Sequence, residues 1–494
     1  MNNTTTRTDH SGGWGTVIVA LVVLAGIVTW ALVRWTWRHP VTALVLAVST
    51  AVFVLWSTPG VIALWVTGVV GLIAWRLVGA GSFDRSVSWR ARGSLRGWWV
   101  YGRRWRPALT MADLADIYDR EPRVPKLRRV RSNRYLDRLT VGLLPGQHPA
   151  DYSKRADTLA HTFGQRACRV RIAGPGRVHL DFTRTDLLAT TVPAFAIPET
   201  TDLTALPVAR QENGLDWLLC ILGRHVLIAG VTGAGKGSVL QSVIRALGPV
   251  IRSRLVDLRG IDPKGGMELA AAGAERLYTE LVRDDPDQQA DLLERLVVVM
   301  RERARRLAGV TRLHTPTVDE PLIVLVIDEL AALTAYRPKT REGRELYARI
   351  DQAINLLLSQ GRAVGVIVIA ALQDPRKEVL PARDLFPTRV ALRLVEAEAT
   401  NMVLGPNARD LGADCSLINP SLPGVAWVWS DGEPEPTRVR FAYPTDVDIA
   451  QLADHCHPGA DDVSDDQADT EAAEVIELPS TDVTEVPEVV EAAS

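Results

Sequence analysis

The stretch Leu227–Val239, LIAGVTGAGKGSV, decides the fold. An apolar run, Leu227 to Ala229, leads into Gly230, and Gly235 and Lys236 complete the spacing G-x-x-x-x-G-K. This spacing is that of a phosphate-binding loop between a strand and a helix. Backbone N–H groups of Gly230, Val231, Thr232, Gly233, Ala234, Gly235, Lys236, Gly237 and Ser238 would cradle phosphates there, with the Lys236 ammonium on the outer ones. The residue after the lysine is Gly237, where the pattern calls for a Ser or Thr hydroxyl to hold Mg²⁺. Successive helical residues point about 100° apart, so Ser238 cannot supply that oxygen. Mg²⁺ keeps several waters and binds through phosphates plus one or two carboxylates, so a water could stand in the vacant position.

Working outward, apolar strand patterns alternate with helical ones from Leu215 to Tyr443, which predicts an α/β fold with a parallel sheet covered by helices. LIVLVIDEL (Leu322–Leu330) reads as a buried strand that delivers Asp328 and Glu329 at its carboxyl end, where open α/β sheets bind ligands. Asp328 suits a magnesium ligand, directly or through water, and Glu329 suits polarisation of an attacking water. Taken alone, Asp-Glu after a strand would be a helix cap. Paired with the glycine loop, it describes an NTPase that uses ATP and Mg²⁺. GVIVIAALQDP ends a further strand at Gln373, an amide able to sense the outer phosphate. GIDPKGG (Gly260–Gly266) reads as a strand end and a turn.

The rest of the chain sets the surroundings. Its 494 residues carry a net charge of -2, but the charges are segregated. Gly12–Val33 and Val41–Trp75 are uncharged, and the second run is interrupted by STPG at Ser57–Gly60. About 20 apolar residues span a bilayer, so residues 1–78 read as a membrane anchor of three helices. Arg34, Arg38 and the arginines from Arg76 onward would then lie on the cytoplasmic side with the motor. Residues 79–140 read as a basic juxtamembrane linker suited to anionic lipid headgroups or to nucleic-acid phosphates. Residues 141–210 read as a small α/β module (a helix near His148–Gly164, strands CRVRIAG and RVHLDF) followed by a Pro/Thr-rich connector. The motor is drawn at 211–445. Residues 446–494 read as a disordered tail, because Gly459–Ser494 holds twelve Asp and Glu and no Lys or Arg. The four cysteines are scattered and show no metal-ligand or redox spacing. HCH at His455–His457 has no second cluster and reads as a surface turn.

GVTGAGKGSV, IDPKGGMEL, LIVLVIDELAAL, GRAVGVIVIAALQDP and DLFPTRVALRL occur in the order seen in the FtsK/SpoIIIE family of DNA translocases. The sequence resembles in particular the membrane-anchored transfer proteins of actinobacterial conjugative plasmids and integrative elements. The resemblance implies a RecA-like motor assembling as a hexamer around double-stranded DNA, with other transfer proteins as further partners. It implies the Walker roles for Lys236, Asp328 and Glu329, a phosphate sensor in Gln373 and a trans-acting arginine finger in Arg362. The loop YRPKTREGR (Tyr336–Arg344) would face DNA. No basic winged-helix module is seen, so DNA binding would rest on phosphates and fall steeply with salt. Chromosome clearance at division, protein secretion and a non-hydrolysing nucleotide-binding scaffold are the alternative functions.

Overall fold

The computed structural model describes residues 40–118, 121–335, 340–376 and 382–458. The apolar run Gly12–Val33, the loop tip 336–339 and the acidic tail beyond 458 lie outside the described residues. The chain divides into two compact units, one up to Ala91 and one from Arg92 onward.

In the first unit a helical stretch runs Pro40–Val78, broken at Ser57, whose φ of 58° is left-handed. The expected turn at Ser57–Gly60 is therefore a kink at Ser57, with Pro59 carried inside the helix beyond it. Among the described residues, Ser57–Val78 is the one helix long and apolar enough to cross a membrane. Of the three expected crossings, the first lies outside the described residues, and the other two fall on this kinked helical stretch, of which Ser57–Val78 is the candidate span.

The second unit opens with a module that the charge pattern concealed. Residues 79–140 do not form a linker. Lys126–Ser132 and Leu136–Gly142 pair antiparallel, and with Arg177–Thr183 and Ala167–Gly174 they form a four-stranded sheet. Tyr101, Trp105 and Leu109, from the preceding helical segment, are buried against it with Leu139, Phe163 and Phe182. The helix expected over His148–Gly164 is present as two, Pro149–Lys154 and Ala156–Thr162, split at Arg155. The 140/141 boundary cuts through a strand of this sheet. Arginine pairs tie the module to the motor: Arg169 meets Glu212 at 2.5 Å and Arg171 meets Glu435 at 2.6 Å.

The motor is built on one large sheet, ordered Glu280–Val282, Val256–Ile261, Leu322–Ile327, Val366–Leu372, Val226–Ala229, Thr388–Ala391, then Val425–Ser430, Thr437–Tyr443, Leu206–Gln211 and Asp216–Leu219. The first six are parallel and the remainder antiparallel. Strand Leu206–Gln211 comes from the expected connector, so the motor begins before residue 211.

The central strands are apolar at every position because both faces are covered. Val226, Ile228, Val324, Val326, Ile367 and Ile369 face one core, beneath the helix Lys236–Arg252. Leu227, Ile323, Leu325, Ile327, Val366 and Val368 face the other, beneath the helices Pro286–Leu307 and Arg341–Gln360. Each such side chain contributes roughly 1.5–3 kcal/mol through burial. The expected tail also starts late. Asp446–Cys456 is a helix whose Ile449, Leu452, Ala453 and Cys456 recur at helical spacing and are buried in the first core. HCH therefore ends a docked helix and is not a turn.

His225 pins two segments of the motor together. Its Nδ1 accepts the Val368 N–H at 2.9 Å, and its Nε2 donates to the Leu358 carbonyl at 3.1 Å. This network requires the neutral ring. Burial, assisted by Arg362, lowers its pKa from 6.5 to about 4. The stabilisation is complete above pH 6.5. It is lost as pH falls from 6.5 to about 4, because only the unfolded chain takes up the proton there. The loss amounts to about 3 kcal/mol. Urea unfolding of the wild type at pH 7.5 and 4.5 should show this decrement, and His225→Gln should show a smaller pH effect. Equal pH effects in both would refute it.

Candidate active site

The site lies at the carboxyl ends of the parallel strands. Val226–Ala229 runs out into the glycine loop, and the helix Lys236–Arg252 begins directly after it. Gly235 has φ 99°, and a β-carbon there would sit 2.4 Å from the Gly424 backbone nitrogen. The turn and this close approach both require glycine. The Gly424 N–H donates to the Ala234 carbonyl at 2.9 Å, which holds the loop against the antiparallel part of the sheet. The Lys236 ammonium donates to the Gly230 carbonyl at 2.8 Å and lies 3.4 Å from that of Val231. Burial lowers its pKa, opposed first by Glu329 and then by Asp328 and Glu268.

Leu322–Ile327 delivers Asp328 to the same cleft and Glu329 next to it, both nearly inaccessible to solvent. Glu329 Oε1 accepts the Gln373 backbone N–H at 3.3 Å. Glu329 Oε2 is buried and has no hydrogen-bond partner. The Thr232 hydroxyl donates to Gln373 Oε1 at 3.0 Å, fixing the carboxamide over the loop. Lys236, Asp328, Gln373, Gly233, Gly235 and Ser238 line one cleft of about 450 Å³. Arg362 stands apart. It is exposed, in the turn before strand Val366–Leu372, whereas Gln373 follows that strand. The strand's length separates Arg362 from its own chain's loop by about 20 Å.

Two site residues were not legible as such in the sequence. Lys264 Nζ contacts Asp328 Oδ2 at 2.7 Å and approaches Glu329 Oε2 at 3.7 Å. Burial tends to lower the Lys264 pKa, but the bond and charge of Asp328 leave it raised. The second residue is Glu268, whose carboxyl pKa is raised, chiefly by burial and next by Asp328. Asp262 organises both. Its carboxylate accepts the backbone N–H of Lys264 at 3.1 Å, of Glu268 at 3.1 Å and of Leu269 at 3.0 Å. The signal was the Asp-Pro-Lys turn of GIDPKGG. Its meaning depends on Val256–Ile261 lying beside Leu322–Ile327, which local sequence does not state.

Gly237 also differs from expectation. A water was expected in place of the absent side-chain oxygen. The volume is filled instead by Glu268, whose Oε1 would lie 1.4 Å from a β-carbon at position 237.

Comparison with known proteins agrees with this geometry. Residues 87–184 match the actinomycete conjugal transfer protein N-terminal domain, and residues 193–315 match the FtsK/SpoIIIE family. The transfer protein TraSA of Streptomyces ambofaciens is 29% identical over 383 residues, 73% of this chain and 88% of that protein. The DNA translocase FtsK of Oceanobacillus iheyensis is 25% identical over 252 residues, 47% of this chain and 30% of that protein. The chain thus spans most of the TraSA relative and under a third of the FtsK one. Among solved structures, the pCW3 conjugation coupling protein TcpA, in monomer form with ATPγS, has a TM-score of 0.47 at 18% identity, covering 71% of this chain and 98% of that one. The four-stranded module coincides with the first matched domain and the glycine loop with the second. The chain is an ATPase whose residues 193–315 match the FtsK/SpoIIIE family and whose residues 87–184 match the N-terminal domain of actinomycete conjugal transfer proteins.

Proposed function

We propose that the chain is a membrane-attached, ATP-driven translocase of double-stranded DNA serving conjugative transfer. One observation carries this reading: Lys236, Asp328 and Gln373, scattered over 138 positions of sequence, line one cleft at the carboxyl edge of one sheet, with Glu329 bonded to the Gln373 backbone beside it. Lys236 would neutralise the outer phosphates of ATP. Glu329, with one buried oxygen lacking a partner, has a lone pair to offer an attacking water. Gln373, braced by Thr232, would report the presence of the outer phosphate to the loop. The residues present suit a metal. Asp328 already holds a cation, the Lys264 ammonium, at its carboxylate. Magnesium held there would supply charge neutralisation to the phosphates when bound.

The transfer role is supported by similarity to TraSA and FtsK. Attachment to the membrane would run through Ser57–Val78, about 33 Å long at 1.5 Å per residue, enough for a bilayer core of about 30 Å. Arg76, Arg90, Arg92 and Arg96 follow it and would hold the motor on the cytoplasmic side. A ring of six copies would give Arg362 its use, since it is remote from its own chain's loop but could reach a neighbour's nucleotide.

The test is phosphate release by the purified full chain with and without duplex DNA at several salt concentrations. Severalfold stimulation that fades steeply with salt is expected, because contacts to phosphates release counterions. A rate indifferent to DNA at every salt concentration would remove the DNA reading and leave the ATPase.

A further inference from the structure

The loop's departure at Gly237 and the carboxylate of Glu268 belong to one arrangement. The three heavy atoms nearest a β-carbon at 237 are Glu268 Oε1 at 1.4 Å, Cδ at 2.4 Å and Oε2 at 3.0 Å, all of one carboxyl group. A Ser or Thr at 237 and this placement of Glu268 exclude one another.

The backbone of residue 268 is held there from two sides. The Glu268 backbone N–H donates to Asp262 Oδ2 at 3.1 Å, and Asp262 is fully buried. The Glu268 carbonyl accepts from Gln241 Nε2 at 3.0 Å, and Gln241 lies on the helix that the glycine loop begins. Residue 268 is thereby clamped between the end of strand Val256–Ile261 and the loop's own helix. Leu269, next along, is fully buried. Beside the cleft lies the Glu329 carboxylate, 7% exposed, with its Oε2 3.7 Å from the Lys264 ammonium and lacking a hydrogen-bond partner. The charged groups lining the cleft are Lys236, Lys264 and Arg440 with Asp328 and Glu268, so these two carboxylates are the anionic oxygens it offers a divalent cation.

We propose that Glu268 takes over, from the position 237 side, the magnesium-ligand role that a phosphate loop ordinarily gives to a Ser or Thr hydroxyl. This rests on the Mg²⁺-dependent reading of the site given above. The exchange replaces a neutral ligand by an anionic one while leaving the count of protein oxygens unchanged. Two carboxylates, Asp328 and Glu268, together with phosphate oxygens and waters, form an ordinary magnesium environment. The consequence is electrostatic. Without metal, the Glu268 carboxylate repels the phosphates beside the loop. With metal, it holds the cation that binds them. The coupling between nucleotide and Mg²⁺ is therefore greater than a hydroxyl ligand would give, and by linkage each raises the affinity for the other by the same factor.

The test uses the full chain and ATPγS. Nucleotide affinity is measured by calorimetry with Mg²⁺ and with EDTA, and Mn²⁺ binding to the nucleotide complex is followed by electron paramagnetic resonance. In Glu268→Gln, the ratio of the two nucleotide affinities should fall roughly tenfold or more, the scale seen when groups around a metal are removed. Binding in EDTA should tighten, which loss of fold would not produce. Gly237→Ser alone should disturb the loop, because the serine and Glu268 compete for one volume. The double variant G237S/E268A should regain most of the coupling and the Mn²⁺ signal. A Glu268→Gln protein with wild-type coupling and Mn²⁺ spectrum would overturn the assignment while leaving Mg²⁺ dependence intact. A double variant no better than E268A would overturn it equally. A wild type indifferent to Mg²⁺ would overturn both the assignment and the metal reading beneath it.

Discussion

Lys236→Ala lowers the rate of ATP hydrolysis by about 10²–10³-fold, the scale on which one aimed donor stabilises developing charge in a buried site. The reason is local. Lys236 is the one cation that the loop itself supplies, and it is largely buried, so solvent does not screen its charge. It also ties down the Gly230 carbonyl at 2.8 Å. Alanine removes the charge and releases the loop, so nucleotide affinity should fall together with turnover. The helix Lys236–Arg252 is held by thirteen buried residues, Lys236 among them, so the fold should survive. Phosphate-release kinetics, alongside circular dichroism to verify folding, check this. A folded variant with wild-type turnover would remove Lys236 from the chemistry.

Glu329→Gln separates binding from turnover. The amide keeps the size of the side chain and can no longer accept a proton, so hydrolysis should fall about 10²–10⁴-fold while nucleotide still binds. Stability should not decline. Glu329 Oε2 is buried without a hydrogen-bond partner, and the Lys264 ammonium 3.7 Å away keeps its 2.7 Å contact with Asp328 when Glu329 is neutralised, so no buried cation is left unpaired. Loss of the charge should therefore leave the unfolding midpoint unchanged or raised. Single-turnover phosphate release, nucleotide titration and urea unfolding on one preparation check all three. Turnover close to wild type would assign the water-activating role elsewhere, and a lowered midpoint would contradict the burial argument.

Much of the motor was legible in the sequence because its signals are contiguous. The glycine loop announces itself within seven residues, Gly230 to Lys236. The strands carrying Asp328 and Gln373 are apolar at every position because helices cover both sheet faces, and such runs stand out. The module before the motor was not legible for the opposite reason. Strand Lys126–Ser132 exposes Arg128, Arg129 and Arg131, with Leu127 and Val130 half-buried and Ser132 buried, so charge concealed its period. The helix Asp446–Cys456 was assigned to the tail because acidic composition outweighed the spacing of Ile449, Leu452, Ala453 and Cys456. Glu268 and Lys264 became site residues through the placement of one strand beside another and through Asp262, a buried carboxylate bonded to three backbone N–H groups. Those are tertiary facts, and a motif read along the chain does not contain them.

The missing hydroxyl at Gly237 has a physical answer of the same kind. The loop was read in isolation, and its vacancy was assigned to water. In the fold the neighbouring strand end supplies a carboxylate to that volume, so the loop is complete only when the sheet is assembled.

The most direct measurement is an experimental structure of Glu329→Gln, still able to bind but slow to hydrolyse, with ATP and Mg²⁺. The outer phosphate should lie within hydrogen-bond reach of Lys236, with the metal on Asp328 and the Gln373 amide facing the same phosphate. Nucleotide bound outside the cleft at the end of Val226–Ala229, or phosphates remote from Asp328, would contradict the assignment of this edge of the sheet as the site of ATP hydrolysis.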